Sequence, residues 1–239
     1  MTATPDTTIR EIVASDYRTA AVFQRHGLDF CCKGCKTIEE GCRDTGADAV
    51  TLIRELDSIL DTPAAGVPRF RAWDARTLIA YIVGNHHAFV RDAMPPLLRH
   101  TAKVAAVHGD RHPELRHIEK LFARVAAEMT EHMAKEEQVL FPFIAALEDA
   151  AARHTPAPRG PFGTVANPIH AMETEHEFVG DAMAEIRHLT GGFAAPADAC
   201  ATYQVCFQEL EAFERDLHDH VHLENNLLFP KAAALEAGK

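Results

Sequence analysis

The sequence predicts an all-α protein: a small N-terminal helical domain followed by an up-down-up-down four-helix bundle. Three observations predict it. Ala is abundant, aromatics make up only 7% of the 239 residues and β-branched runs are short, a composition that favours helices over sheets. Apolar residues recur at helical spacing in long segments separated by turn-forming clusters. One of those segments, with its surroundings, is repeated in matched frame in the second half of the chain.

Residues 1–62 form the small domain. Tyr17 to His26 is amphipathic, with Ala20, Ala21 and Phe23 apolar, and stops at Gly27, a natural residue just past a helix end. Asp29-Phe30-Cys31-Cys32-Lys33-Gly34-Cys35 reads as a loop. Thr37 with Glu40 fits a capping box that opens the next helix. Leu52, Ile53, Leu56, Ile59 and Leu60 mark a further helix. Residues 63–72 are a linker by composition, and 73–239 the bundle. Asp74 is placed to cap helix A, which Pro95-Pro96 should kink or divide. A turn at His108–Pro113 leads to helix B, which runs to about Ala151. After a Pro-rich loop, Asn167-Pro168 starts helix C, Gly191-Gly192 ends it, and helix D begins near Asp198.

The net charge of −11 repels phosphate backbones, which argues against nucleic acid as a partner. No stretch approaches the roughly 18 apolar residues of a membrane span. The polar N-terminus, Met1 to Thr8, lacks an apolar signal core, so a cytoplasmic location is expected. The six Cys then read as thiols or metal ligands rather than structural disulfides.

Helices B and D carry the repeat. His132-x-x-x-Glu136 is followed by Leu140-Phe141-Pro142, and His220-x-x-x-Glu224 by Leu228-Phe229-Pro230. Helices A and C each add a histidine upstream: His87 lies 45 residues before His132 and His176 lies 44 before His220. Residues four apart share a helix face about 6 Å apart along the axis, so an imidazole and a carboxylate from one helix reach the same site. The midpoints between successive ligand positions fall near 110, 155 and 199, in or at the end of the three predicted turns. All six residues can therefore share one layer of the bundle. Two carboxylates that can bridge and four imidazoles suit two iron ions, with room for an oxo or hydroxo bridge or a small ligand. The rival Glu-x-x-His pattern at Glu114/His117 lies at the start of helix B, far from that layer; Glu173 reads as a supporting or surface acid. His86 points away from the His87 face and reads as a packing or supporting residue; His108, His218 and His222 are lesser candidates, for hydrogen bonds to the site or for solvent exposure.

With these residues in place the chain resembles the bacterial di-iron proteins that repair iron–sulfur clusters, with a hemerythrin-like bundle. The resemblance rests on His87, His132-x-x-x-Glu136, Met172-Glu173-x-Glu175-His176, His220-x-x-x-Glu224-Asn225-Asn226 and, in the small domain, Asp29-Phe30-Cys31-Cys32. It implies His87, His132, His176 and His220 as terminal ligands, Glu136 and Glu224 as bridges, and Cys31 and Cys32 as thiols that pass iron or electrons. It implies damaged iron–sulfur proteins as partners and NO or O2 as small ligands. It leaves open NO reduction at the di-iron centre, and a homodimer. The family usually continues Cys-Cys-Gly-Gly, whereas Lys33-Gly34-Cys35 follows here. Cys35 and Cys42 add thiols, so a Cys32-x-x-Cys35 metal knuckle is an alternative. Lys33 and Lys36 are expected to favour thiolates, and Cys200 and Cys206 to be structural. An oxygen carrier or sensor of the hemerythrin type fits less well: Met172 and Gly180 flank His176 at four residues, and Asn225 stands five beyond His220.

Overall fold

The computed structural model describes residues 2–62 and 68–238; half of the expected linker, 63–67, lies outside them. The small domain holds α1 (Ile9–Ser15), α2 (Ala20–Arg25), α3 (Ile38–Thr45) and α4 (Ala49–Leu60). Thr37 and Glu40 form the expected capping box. A second box, Thr8 with Glu11, opens α1, a helix the apolar pattern does not reveal. Gly27 has φ 71°, the left-handed conformation that ends α2.

Helix A comprises α5 (Ala75–Tyr81) and α6 (Ala88–His108), joined by a π-helical turn at Ile82–His87. Helix B comprises α7 (Glu114–Lys135) and α8 (Phe141–Ala152), joined by a π turn at Glu136–Leu140. Helix C is α9 (Ala166–Leu189), and helix D comprises α10 (Ala201–Leu223) and α11 (Phe229–Glu236) around a π turn at Glu224–Leu228. α6 packs on α7, α7 on α9, α9 on α10, and α10 back on α6, which closes the four-helix ring.

Three boundaries differ from expectation. α6 runs through Pro95-Pro96 undivided. Val90, Met94, Leu97 and Thr101 bury one face on both sides of the pair, and the carbonyls that lose partners belong to Arg91 and Asp92, which are exposed. Helix A is interrupted upstream instead, at its π turn. Asn167 does not cap α9; the helix begins at Ala166, and the Asn167 amide donates to the Phe162 carbonyl. α10 starts at Ala201, because Asp198 is engaged by His112 and Arg111 across the bundle end.

The π turns explain the repeated Leu-Phe-Pro. Proline has no N–H for the carbonyl four residues back and its ring crowds that carbonyl. At Pro142 and Pro230 the chain widens into a π turn immediately upstream, and the α-helix resumes with proline in its first turn. Single π turns of this kind cluster at functional sites. All three here fall at the layer of His87, Glu136 and Glu224.

Two apolar cores sandwich that layer. One, at the α5/α8/α11 end, contains Leu78, Ile82, Ile144, Leu228 and Phe229. The other contains Phe122, Val125, Leu210 and Phe213 of the bundle and continues without a break into Ile12, Phe23, Ile38, Leu52 and Leu56 of the small domain. The small domain is thus docked on the bundle. Asn226 seals the contact: its amide donates to the Phe30 carbonyl and to His222 Nδ1, both at 2.9 Å, and its Oδ1 accepts from Arg10 Nε at 2.9 Å. Gly34 fits there because a Cβ would lie 2.8 Å from Asn226 Oδ1 and 3.0 Å from the Phe30 carbonyl oxygen. Gly34→Ala is therefore expected to lower stability by about 1–3 kcal/mol, the usual cost of overpacking. Denaturant unfolding checks this; an unchanged midpoint would show that the loop gives way freely.

Candidate metal centre

Glu136 and Glu224 lead two of the π turns, and His132 and His220 sit one helical turn before them at the ends of α7 and α10. His87 closes the first π turn, and His176 projects from mid-α9. All six are buried, at 0–1% exposure. Their ligand atoms form two quartets: His87, Glu136, His220 and Glu224; and His132, Glu136, His176 and Glu224. Within each quartet one atom per residue lies within 4.8 Å of every other, and both quartets share the two glutamates. The structure therefore brings together all six residues singled out in the sequence, with the carboxylates between two pairs of imidazoles.

The hydrogen bonds fix which way each ring faces. His87 Nδ1 donates to Glu137 Oε1 at 2.6 Å, and His132 Nδ1 to Glu175 Oε2 at 2.9 Å. His176 Nδ1 lies 3.0 Å from Asn225 Oδ1. The Asn225 amide nitrogen faces the Cys31 carbonyl at 3.2 Å, so its oxygen is the atom turned to His176, and the imidazole donates. With Nδ1 donating outward, each of these rings turns Nε2 inward. There His87 and His220 Nε2 approach to 3.1 Å, as do His132 and His176 Nε2. Neither Glu136 oxygen, nor Glu224 Oε2, has a hydrogen bond of proper geometry. Buried carboxylate oxygens and converging ring nitrogens are costly unless positive charge, from protons or a metal cation, balances them. The donor set, imidazole nitrogen and carboxylate oxygen without sulfur, suits first-row metal cations, iron among them.

The electrostatics agree. Burial alone would push His87 and His132 towards the neutral form, but Glu136 and Glu224 overcome it, and each imidazole is raised to about 10. Burial raises Glu224, yet His220 and the other imidazoles hold it well below the usual carboxylate range. Burial and the neighbouring Glu224 raise Glu136, and His132 with His87 more than offset both. Protons bound to imidazoles thus stand in for positive charge that a metal would supply, and metal binding must displace them.

The supporting residues follow the duplication, which sequence reasoning missed. The residue after each shared glutamate, Glu137 or Asn225, takes Nδ1 of the upstream histidine. The residue before that histidine is Glu175 in one half, where it holds His132, and His86 in the other. His86 lies parallel to His220, ring centroids 5.7 Å apart, and itself meets Asp216 at 3.0 Å; His220 Nδ1 is left without a hydrogen bond. Phe141 and Phe229 stack on His87 and His176, which gives the phenylalanine of each Leu-Phe-Pro its place. Offsets of plus one from the glutamate and minus one from the histidine would have found Glu137, Asn225 and Glu175 as well as His86, whose supporting place the sequence reading did give.

His108 is remote from this layer and meets Cys200 Sγ at 3.2 Å. Glu114 contacts His112 at the far turn, and Glu173 joins neither quartet. His222 is pushed down to about 3 by burial, stays neutral, and accepts from Asn226 at the domain contact. Cys206 is buried and Cys200 exposed. The expectation that Lys33 and Lys36 favour thiolates fails for Cys31. Lys36 pairs with Asp44 instead, while Cys32, burial and Asp29 together push the Cys31 thiol well up. Cys35 is exposed and Cys42 buried, and neither joins a metal-sized group with Cys32 among the described residues.

Residues 77–232 match the Hemerythrin HHE cation binding domain, and residues 5–60 match a domain of unknown function, DUF542. Over 229 residues, 95% of this chain and 98% of the relative, the sequence is 31% identical to the iron-sulfur cluster repair protein ScdA of Staphylococcus haemolyticus. It is 34% identical to the iron-sulfur cluster repair protein YtfE of Yersinia pseudotuberculosis over 215 residues, 90% of this chain and 91% of the relative. The YtfE protein of Yersinia pestis is 33% identical over the same shares of the two chains.

Proposed function

Since the chain belongs to the family of iron–sulfur cluster repair proteins with a hemerythrin-like cation-binding bundle, we propose that it restores damaged clusters with a non-haem di-iron centre and the thiols of its small domain. His87, His132, His176 and His220 are the terminal ligands and Glu136 and Glu224 the bridges. The observation that carries this reading is the pair of buried quartets sharing both glutamates. When bound, two irons supply a redox-active centre able to take a small ligand such as NO or O2, or a reservoir of iron. The chain's own residues do the rest. Glu137, Glu175 and Asn225 hold three imidazoles with Nε2 inward, and the two cores keep bulk water from the layer. Cys31 and Cys32 pass iron or electrons to the damaged protein. No helix of the described residues is long and apolar enough to cross a membrane, and all six cysteines are free, which supports work in the reducing cytoplasm.

The test offers iron-loaded protein to an enzyme whose cluster NO has destroyed. Cys31→Ser with Cys32→Ser is expected to keep the iron content and the oxidised spectrum of the wild type, because no cysteine lies in the His/Glu layer. Recovery of the damaged enzyme should fall to near background. Recovery equal to wild type would make the thiols structural; loss of iron would make the two domains one site.

A further inference from the structure

The small-domain loop carries a second group of metal-ligating atoms. Cys31 and Cys32 Sγ are 3.8 Å apart, and Cys31 Sγ is 3.2 Å from Asp29 Oδ1; all three residues offer atoms within 4.8 Å of one another. The Asp29 carboxylate shapes the loop: its Oδ1 accepts the Cys31 and Cys32 backbone amides at 3.0 and 2.8 Å. Two sulfurs each about 2.3 Å from a tetrahedral ion stand about 3.8 Å apart, so the thiols already have the spacing of two ligands on one metal. A vicinal disulfide, by contrast, would need the sulfurs to close to about 2.05 Å within a strained ring.

The group is not sealed. It lines a cavity of about 440 Å³ between the small domain and the bundle, whose other walls include Glu177, Asp181, His218 and the Arg187–Glu214 ion pair. His218 Nδ1 is buried and has no hydrogen-bond partner. Gly180 places the α9 backbone beside Cys32, where a Cβ would lie in ordinary contact, 3.7 Å from its Sγ. The loop also touches the bundle centre through one residue: the Cys31 carbonyl accepts from Asn225, which holds His176.

The geometry points to a third metal position, in which Asp29, Cys31 and Cys32 bind one thiophilic divalent cation of ferrous type with its remaining coordination open to the cavity. Such a position is a transit stop rather than a resident centre: two sulfurs and one carboxylate hold the ion, and an open side lets another ligand take it. Binding replaces the proton on each thiol by a bond to the metal, and the two protons leave to solvent. The metal-binding claim stands by itself; the claim that the ion held there is cargo for repair rests on the function proposed above.

The experiment adds Co(II) to full-length protein whose bundle is already loaded with iron. One equivalent should produce thiolate-to-cobalt charge-transfer absorption, with iron content unchanged. Cys31→Ser and Cys32→Ser should each abolish the band, and Asp29→Asn should weaken binding about tenfold or more, as loss of an oriented carboxylate at a metal site does. In the unmutated chain the same equivalent should protect Cys31 and Cys32, but not Cys35, from alkylation read by mass spectrometry; this arm needs no variant to fold. A band that survives in the double Ser variant, no band at one equivalent, or cobalt entry only with loss of iron would each overturn the third position. Cobalt binding as expected alongside unimpaired repair by the Cys variants would keep the site and reject its place in repair. Absent cobalt binding with repair lost in those variants would do the reverse.

Discussion

Glu136→Ala or Glu224→Ala is expected to reduce iron from about two ions per chain, the number a pair of quartets with two shared carboxylates suits, to well below one. Each glutamate belongs to both quartets, so one substitution removes a ligand from both metal positions. The loss is larger than the ligand count suggests, because the imidazoles then face one another with one carboxylate fewer between them. His87 and His220 Nε2 are 3.1 Å apart, as are His132 and His176 Nε2. The nearby carboxylates of Glu137 and Glu175 face Nδ1 of His87 and His132 and belong to neither quartet. Metal analysis and the near-ultraviolet absorption of the oxidised protein measure the outcome. His117→Ala serves as the control, since His117 pairs with Glu185 at the surface and belongs to neither quartet; it should keep its iron. Retention of both irons by either Glu variant would show that the bridging assignment is wrong.

The His/Glu layer was legible in the sequence because three periodicities coincide: a four-residue His–Glu step on one helix face, a near-constant offset to the upstream histidine, and midpoints that fall in turns. Such regularities survive without coordinates because helix geometry converts sequence spacing directly into position. The π turns were not legible, although Pro142 and Pro230 signal them, because a proline reports a lost hydrogen bond and not where the chain absorbs it. Pro95-Pro96 makes the same point in reverse: two prolines that should break a helix pass through it where the freed carbonyls face water and the opposite face is packed. The state of Cys31 was misjudged for another reason. Lys33 and Lys36 are near in sequence, but Lys36 is drawn to Asp44 and the thiol is buried against Asp29. Docking of the small domain was out of reach, since its contacts with Asn226 span about two hundred residues of chain and depend on backbone carbonyls that no side-chain pattern encodes.

Asn225 and Asn226 are adjacent, both buried, and expected to respond differently to truncation. Asn225 stands between the domains' two chemistries: its oxygen accepts the His176 Nδ1 proton and its amide donates to the Cys31 carbonyl. Asn225→Ala orphans two buried polar groups, at a cost of about 1–3 kcal/mol each. It also frees the His176 ring to turn or to change tautomer, which would move Nε2 from its quartet. Loss of an orienting partner of this kind lowers metal affinity about 10–100-fold. The effect should be one-sided, because His176 belongs to the quartet with His132 and not to that with His87 and His220. Asn226→Ala removes the bonds to Phe30, His222 and Arg10 but none to a residue of either quartet. It should loosen the docked domain, seen as faster amide exchange around Phe30 to Gly34, and leave iron content near that of the wild type. Iron titration of the two variants side by side measures the difference. Equal metal affinity would mean that the His176 ring is held by its packing on Phe229 alone, and that the loop of Cys31 has no hold on the metal centre through Asn225.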